Sequence, residues 1–478
     1  MSRLLGVAVV AAGTALVVAG CTNLLSGKPI SVFNDPFQVA GIPATGGPTG
    51  LRPDAKGPTR AVEDTDGGRD DQLAAQSVTD IEEFWNDAFT DPLPGKFIPI
   101  KKVVSWDAKG YSGIDFCRED TTGLVNAAFC VTDDTIGWDR GELLPDLRSQ
   151  FGDMAITMVL AHEYGHAIQK MAKLVDDNTP TLVAEQQADC FAGVYLRWVA
   201  EGNSPRFTLS TGDGLNNLLA AMISFHDPLL NENDPERGVN GHGSAFERVS
   251  AFQLGFTDGV HPCAAIDEKE ITQRRGDLPA ALQQKQSGEL PVTETSVKSV
   301  IEALNILFKP KNSPKLSFDE RSCPQVQSSP AVSYCPANNT ISVNLPELQK
   351  MGEQVETDRN TGLMFGDNTA YSVLTSRYML AIQNEHGGLV LNDAEAALRT
   401  ACLTGVATTK LSEEVTTSDG HPIALTAGDL DEAVSGVLTN GLAASDVNGE
   451  SVPSGFSRID AFRTGVLGDQ DRCIKRYP

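Results

Sequence analysis

Eight of the nine cysteines fall into two sets of four with nearly the same spacing. Cys117, Cys130, Cys190 and Cys263 lie at intervals of 13, 60 and 73 residues, and Cys323, Cys335, Cys402 and Cys473 at intervals of 12, 67 and 71. The residues between them keep the same register. Phe129-Cys130, a turn at Asp133-Asp134 and Thr135-Ile136 match Tyr334-Cys335, a turn at Asn338-Asn339 and Thr340-Ile341. Val159-Leu160 and Ala167-Ile168-Gln169 match Val373-Leu374 and Ala381-Ile382-Gln383. Gly193-Val194 follows Cys190 as Gly405-Val406 follows Cys402, and Phe246, Arg248 and Gly255 match Phe456, Arg458 and Gly465. Ordered agreement over about 180 residues predicts an internal duplication. The 478-residue chain is therefore expected to hold an α+β domain over 73–270 and a degenerate copy of it over 290–478. Eight cysteines allow about 105 pairings, and two copies most simply repeat one pattern. The expected pairs are Cys117–Cys130 and Cys190–Cys263, then Cys323–Cys335 and Cys402–Cys473.

The copies part where the first carries His162-Glu163-Tyr164-Gly165-His166. Met154 to Met171 is apolar on one face and reads as a helix, with Asp153 as its N-cap. Histidines four residues apart project from one helical face, so both rings can reach one cation. Glu163, beside the first, is placed to take a proton from a metal-bound water. A short polar loop after Lys173 leads to a second helical pattern from Leu182 to Ala200. So short a link favours an antiparallel pair, which returns Glu185 to the histidines. His162, His166 and Glu185 are thus the expected ligands of one zinc ion per chain, since zinc hydrolases use three protein ligands and an open fourth position. Asp189, one turn beyond Glu185, is expected to hold a ligand imidazole in its tautomer. Opposite these residues stand Ser376, Arg377, Leu380, Ala397 and Ala401, so the second copy is expected to bind no metal.

Met1 to Gly20 carries Arg3, an apolar run from Leu4 to Ala19, and the ending Val18-Ala19-Gly20-Cys21. It resembles a bacterial lipoprotein signal, which implies export, cleavage and lipidation of Cys21. A location at the outer face of the cell membrane agrees with an even set of cysteines without C-x-x-C spacing. Residues 21–72, rich in Gly, Pro, Asp and Thr, are expected to form a flexible tether. The net charge is −25, with 63 acidic against 38 basic residues and no basic cluster. That balance excludes nucleic acid and anionic head groups as partners, leaving lipid as the means of membrane attachment.

His162 to Gln169 reads His-Glu-Tyr-Gly-His-Ala-Ile-Gln. With Gln187-Ala188-Asp189-Cys190, Ala192-Gly193, and His242-Gly243-Ser244 through Glu247-Arg248, it resembles the bacterial neutral zinc metallopeptidases. Together with the signal, the chain is similar to an actinobacterial lipoprotein peptidase. The resemblance covers Gln76 to Cys263 and reaches the second half only as a degenerate copy. Gln186-Gln187 departs from the leucine-glutamine pair expected there. The resemblance implies a zincin-like fold, with a small sheet before the H-E-x-x-H helix and a third ligand from the next helix.

The activity expected is endopeptidase cleavage of a peptide or protein. Zinc acidifies its water and polarises the scissile carbonyl, while Glu163 carries the proton to the leaving amine. His242, between Gly241 and Gly243, is the candidate donor to the oxyanion. Thr135 to Asp139 is the candidate edge strand on which an extended peptide docks. The rival classes are a zinc hydrolase of other amides or esters, and a surface binding or scaffold protein with a vestigial site. An intact Glu163 beside three intact ligands favours the peptidase.

Overall fold

The computed structural model describes residues 35–478 apart from 90–92, 230–240, 277, 280–287, 320–322 and 355–361. The signal over 1–20, Cys21 and the start of the expected tether lie outside the described residues. After a small hairpin at 38–43 come β1 (Gly50–Leu51), β2 (Val62–Glu63) and α1 (Arg69–Ala88). β3 (Lys102–Trp106), β4 (Ala127–Cys130) and β5 (Thr135–Asp139) follow, then α2 (Leu143–Phe151), α3 (Asp153–Ala172) and α4 (Thr181–Ala200). β6 (Phe207–Thr208), α5 (Asp213–Ser224), α6 (Ala245–Asp258), α7 (Val260–Ala264) and α8 (Glu268–Arg275) end the first half. The second half runs through α9 (Glu294–Phe308), β7 (Lys315–Ser317), β8 (Val332–Cys335), β9 (Thr340–Val343) and α10 (Leu345–Met351). It closes with α11 (Asp367–His386), α12 (Ala394–Lys410), α13 (Asp429–Thr439), α14 (Gly455–Val466) and α15 (Gln470–Arg476). Helices and small sheets in this mixture make an α+β fold. Among the described residues, no helix is long and apolar enough to cross a membrane.

The main sheet has the order β2-β3-β5-β4, parallel except for the β4–β5 hairpin. β5 therefore cannot be the edge strand expected at Thr135 to Asp139. Its backbone is paired with β3 on one side and β4 on the other. The turn at Asp133-Asp134, with Asp134 at φ 53°, folds β4 back alongside it. Among the described residues β4 is the outermost strand on that side. In the second half β7, β9 and β8 repeat the last three strands in the same parallel-then-antiparallel order.

α3 is buried on nearly every face, as a helix at the centre of a core must be. α1 covers it with Leu73, Val78, Ile81, Phe84 and Trp85, spaced at helical period. α4 then crosses α6 so closely that only glycine fits at the contact. A Cβ on Gly255 would stand 1.8 Å from the Cys190 carbonyl oxygen, and one on Gly193 would stand 2.2 Å from that of Phe252. α12 and α14 meet in the same way through Gly405 and Gly465. Disulfides join Cys117 to Cys130 and Cys190 to Cys263, and Cys323 to Cys335 and Cys402 to Cys473. Cys190–Cys263 ties α4 to the end of the first half, and Cys402–Cys473 ties α12 to α15.

The tether expected over 21–72 is not a tether from Asp35 onward. Val39 is fully buried, β1 pairs with β6, β2 joins the main sheet and α1 begins at Arg69. Strands of only two residues among small and turn-forming residues leave no period in the sequence. The halves are packed together along α5, α6, α13 and α14. Gln253 Nε2 donates to the Phe456 carbonyl at 2.9 Å, and the Phe256 and Phe456 rings lie 5.0 Å apart.

Candidate metal centre

α3 carries His162, Glu163 and His166 within one turn, and α4 brings Glu185 against them. Gly165 permits this approach, since a Cβ there would stand 2.8 Å from the Ala188 Cα. His162 Nε2 lies 3.1 Å from Glu185 Oε2, and His166 Nε2 lies 3.5 Å from Glu185 Oε1. Each ring is turned by a different partner on its other nitrogen. His162 Nδ1–H donates to Asp189 Oδ1 at 2.7 Å. His166 Nδ1–H donates to Gln169 Oε1 at 2.9 Å, and the Gln169 amide nitrogen is itself committed to Gln187 Oε1 and the Ala184 carbonyl. Both Nε2 atoms are therefore turned toward Glu185.

Behind Asp189 stands Arg248 on α6. Its Nε and a terminal nitrogen donate to the two Asp189 oxygens at 2.9 and 2.8 Å, and its other terminal nitrogen donates to the Phe225 carbonyl. Burial opposes the Asp189 charge, but Arg248 and His162 bring its pKa down to about 2. Burial likewise opposes a charge on His162, yet Asp189 and Glu185 outweigh it and push the pKa up to about 10. His166 is raised against the same burial by Glu185, whose own carboxyl is held far below its usual range by the two histidines. A field that favours a proton on these nitrogens favours a metal cation in its place.

Glu163 is anchored from the sheet: the Phe129 amide of β4 donates to its Oε2 at 2.9 Å. A cavity of about 340 Å³ opens beside these groups, with Ala127, Ala128 and Phe129 of β4 along it. Leu143, Met158, Met222 and Phe225 give it apolar walls. His242 reaches the centre from the loop before α6. Its Nε2 stands 3.6 Å from Glu185 Oε2, and the His242 and Gly243 amides are held by Asp227 at 2.9 and 2.8 Å. His162, Glu185 and His242 each offer a donor atom within 4.8 Å of the others. His242 thus faces two of the three expected ligands, His162 and Glu185; His166 reaches Glu185 through its other oxygen and falls outside that group. A donor set of imidazoles and one carboxylate, open to a cavity, fits zinc in a hydrolase better than an all-oxygen metal.

Sequence reasoning missed Arg248, Gln169, Gln187 and Asp227 as parts of this centre. Arg248 and Gln169 each have a counterpart in the second half, Arg458 and Gln383, so their matches read as frame rather than site. In the second half no histidine joins a group of this kind among the described residues; the one such group there is Glu289, Asp367 and Glu432.

Residues 30–265 match the family described as "Putative neutral zinc metallopeptidase". Two relatives, both "Uncharacterized protein YpfJ", from Escherichia coli strain K12 and from Escherichia coli O6:H1, are 30% identical over 154 residues. The match takes in 28% of this chain and 52% of each relative, so the chain spans about half the length of the curated relatives it matches. No solved structure matches. Through residues 30–265, the part that builds the His162–Glu185 centre, the chain belongs to the neutral zinc metallopeptidase family.

Proposed function

We propose that this protein is a zinc-dependent endopeptidase, exported and held at the membrane through lipid on Cys21. His162, His166 and Glu185 hold the ion, Asp189 orients His162, Glu163 is the general base, and His242 donates to the developing oxyanion. The observation that carries this reading is the convergence of two separately oriented histidines on Glu185, with Glu163 beside them at the cavity. Zinc, when bound there, supplies a Lewis acid that acidifies water and polarises a carbonyl.

The chain's own residues do the rest. Glu163 accepts a proton from water and returns it to the leaving amine. The Phe129 amide occupies Oε2, which leaves Oε1 to carry that proton. β4 is the outer strand along the cavity, so an extended peptide can add beside it through edge groups other than the Phe129 amide, which Glu163 holds. The apolar walls exclude bulk water, which strengthens every charge interaction at the reacting carbonyl.

The second half, in this proposal, is a degenerate copy that binds no metal. The repeated strand order, the repeated glycine contacts and the repeated disulfides support it. The test is metal content and peptide cleavage by the exported chain, with and without chelator. One zinc per chain and chelator-sensitive cleavage are expected. Cleavage that survives complete removal of metal would overturn the proposal.

A further inference from the structure

Asp431 lies on the first turn of α13, in the half without the metal centre, yet its carboxylate is spent on the other half. It accepts from the Phe246 amide at 2.9 Å, with the Ala245 amide beside it. Those amides open α6, whose N-cap is Ser244, in a capping box with Glu247. The first amides of a helix have no partner within it and carry a partial positive charge, so a buried carboxylate there fixes the helix end. One short step along α6 is Arg248, which grips both oxygens of Asp189, which in turn holds His162. Two residues before the cap is His242, and Gly243 between them lines one cavity with Asp431.

We infer that Asp431 is a positioning residue for the metal centre: by fixing the start of α6 from the second half, it sets Arg248 against Asp189 and thereby the ring of His162. The second half then contributes to the site without contributing a ligand. The inference rests on the zinc reading above and gives the copy a part in it.

Chelator competition on the full chain measures zinc affinity without requiring turnover. Asp431→Ala is expected to weaken zinc about tenfold, the lower end of what loss of a ligand's hydrogen-bond support does. Asp431→Asn keeps an oxygen toward the amides and is expected to stay within about twofold of the wild type. Gln253→Ala serves as the control, because it breaks a contact between the halves without touching the start of α6. If Asp431→Ala only lowers the melting temperature, as Gln253→Ala should, and keeps wild-type affinity, Asp431 is interface glue and the inference is overturned. Should Asp431→Ala not fold, Asp431→Thr, of similar volume with a shorter acceptor, is expected to lose about threefold. Unchanged affinity there overturns the inference equally. A wild-type chain without zinc affinity overturns the zinc reading and this inference with it; zinc binding indifferent to Asp431 overturns this inference alone.

Discussion

α3 and α11 occupy the same place in the two halves, and the residues at their centres are opposites. Glu163 accepts from the backbone of β4 through the Phe129 amide. Arg377, opposite it, is fully buried and donates to the backbone of β8 through the Val332 carbonyl. Its other nitrogens go to the carbonyls of Leu442 and Asp446 and to Ser445 Oγ. Where one half keeps an opening beside its helix, the other has pushed a guanidinium into it. Arg248 and Arg458 differ in the same sense. Arg248 meets the Asp189 carboxylate, whose field raises its pKa. Arg458 has Ala401 opposite Asp189 and donates instead to the carbonyls of Val437, Leu438 and Val452. Burial without a counter-ion brings it down to about 10, and burial brings Arg377 to about the same value against the opposing charge of Asp446. In the second half both buried guanidinium groups are committed mainly to backbone oxygens, because buried polar groups must pair.

That contrast can be broken most sharply at Glu163. Glu163→Gln is expected to keep its zinc and lose turnover by about a hundredfold or more, as removal of a general base does. A metal-loaded Glu163→Gln enzyme with near-wild-type rates would leave the Glu163–Arg377 difference without catalytic meaning. Next in size is the separation of Glu185 from Asp189. Elemental analysis should find no zinc in Glu185→Ala, nor in His162→Ala, and affinity about 10–100-fold weaker in Asp189→Ala. An Asp189→Ala chain that holds no zinc beside a Glu185→Ala chain that holds it would reverse the two roles.

Arg377→Ala tests the filled half. Several carbonyls would lose their donor and a cavity would open, at a cost of about 3 kcal/mol in chemical denaturation, with zinc affinity unchanged. A neutral result would mean that the guanidinium is incidental. The smallest effect concerns the starts of the two helices. Asp153 at the head of α3 pairs with Arg69 at 3.1 Å, whereas Asp367 at the head of α11 faces Glu289 and Glu432. Burial, then repulsion between the carboxylates, raises Asp367 and Glu432 above the usual carboxyl range. A raised carboxyl binds more protons folded than unfolded, so stability declines as pH rises through and above the carboxylate range. Glu432→Gln cannot ionise and is expected to gain about 1 kcal/mol at pH 8 and nothing near pH 4. A gain that is the same at both pH values would place the effect in packing instead of charge.

Much of this was readable beforehand because it repeats or has a period. Cysteine spacing predicted all four pairs that the disulfides make, and the helical period of Met154 to Met171 put His162, Glu163 and His166 on one turn. The short link from α3 to α4 was enough to bring Glu185 back to them. The edge strand was misplaced because β4 and β5 are both short and apolar, and only pairing with β3 decides which one is interior. Arg248 was hidden for a different reason. An arginine shared by both halves looks structural until its partner is known, and that partner lies 59 residues away. Long-range polar pairs leave no local pattern.

The segment from Asp35 to Leu51 is stitched to both halves. The Gln38 carbonyl accepts from Ser457 on α14, the Ala40 carbonyl accepts from Arg197 on α4, and β1 pairs with β6. If Cys21 carries the lipid, the leash is therefore short. Gln38, the first stitched position, lies about seventeen residues beyond Cys21, and even fully extended they span at most about 60 Å. Gln38 would then stay within that reach of the bilayer surface.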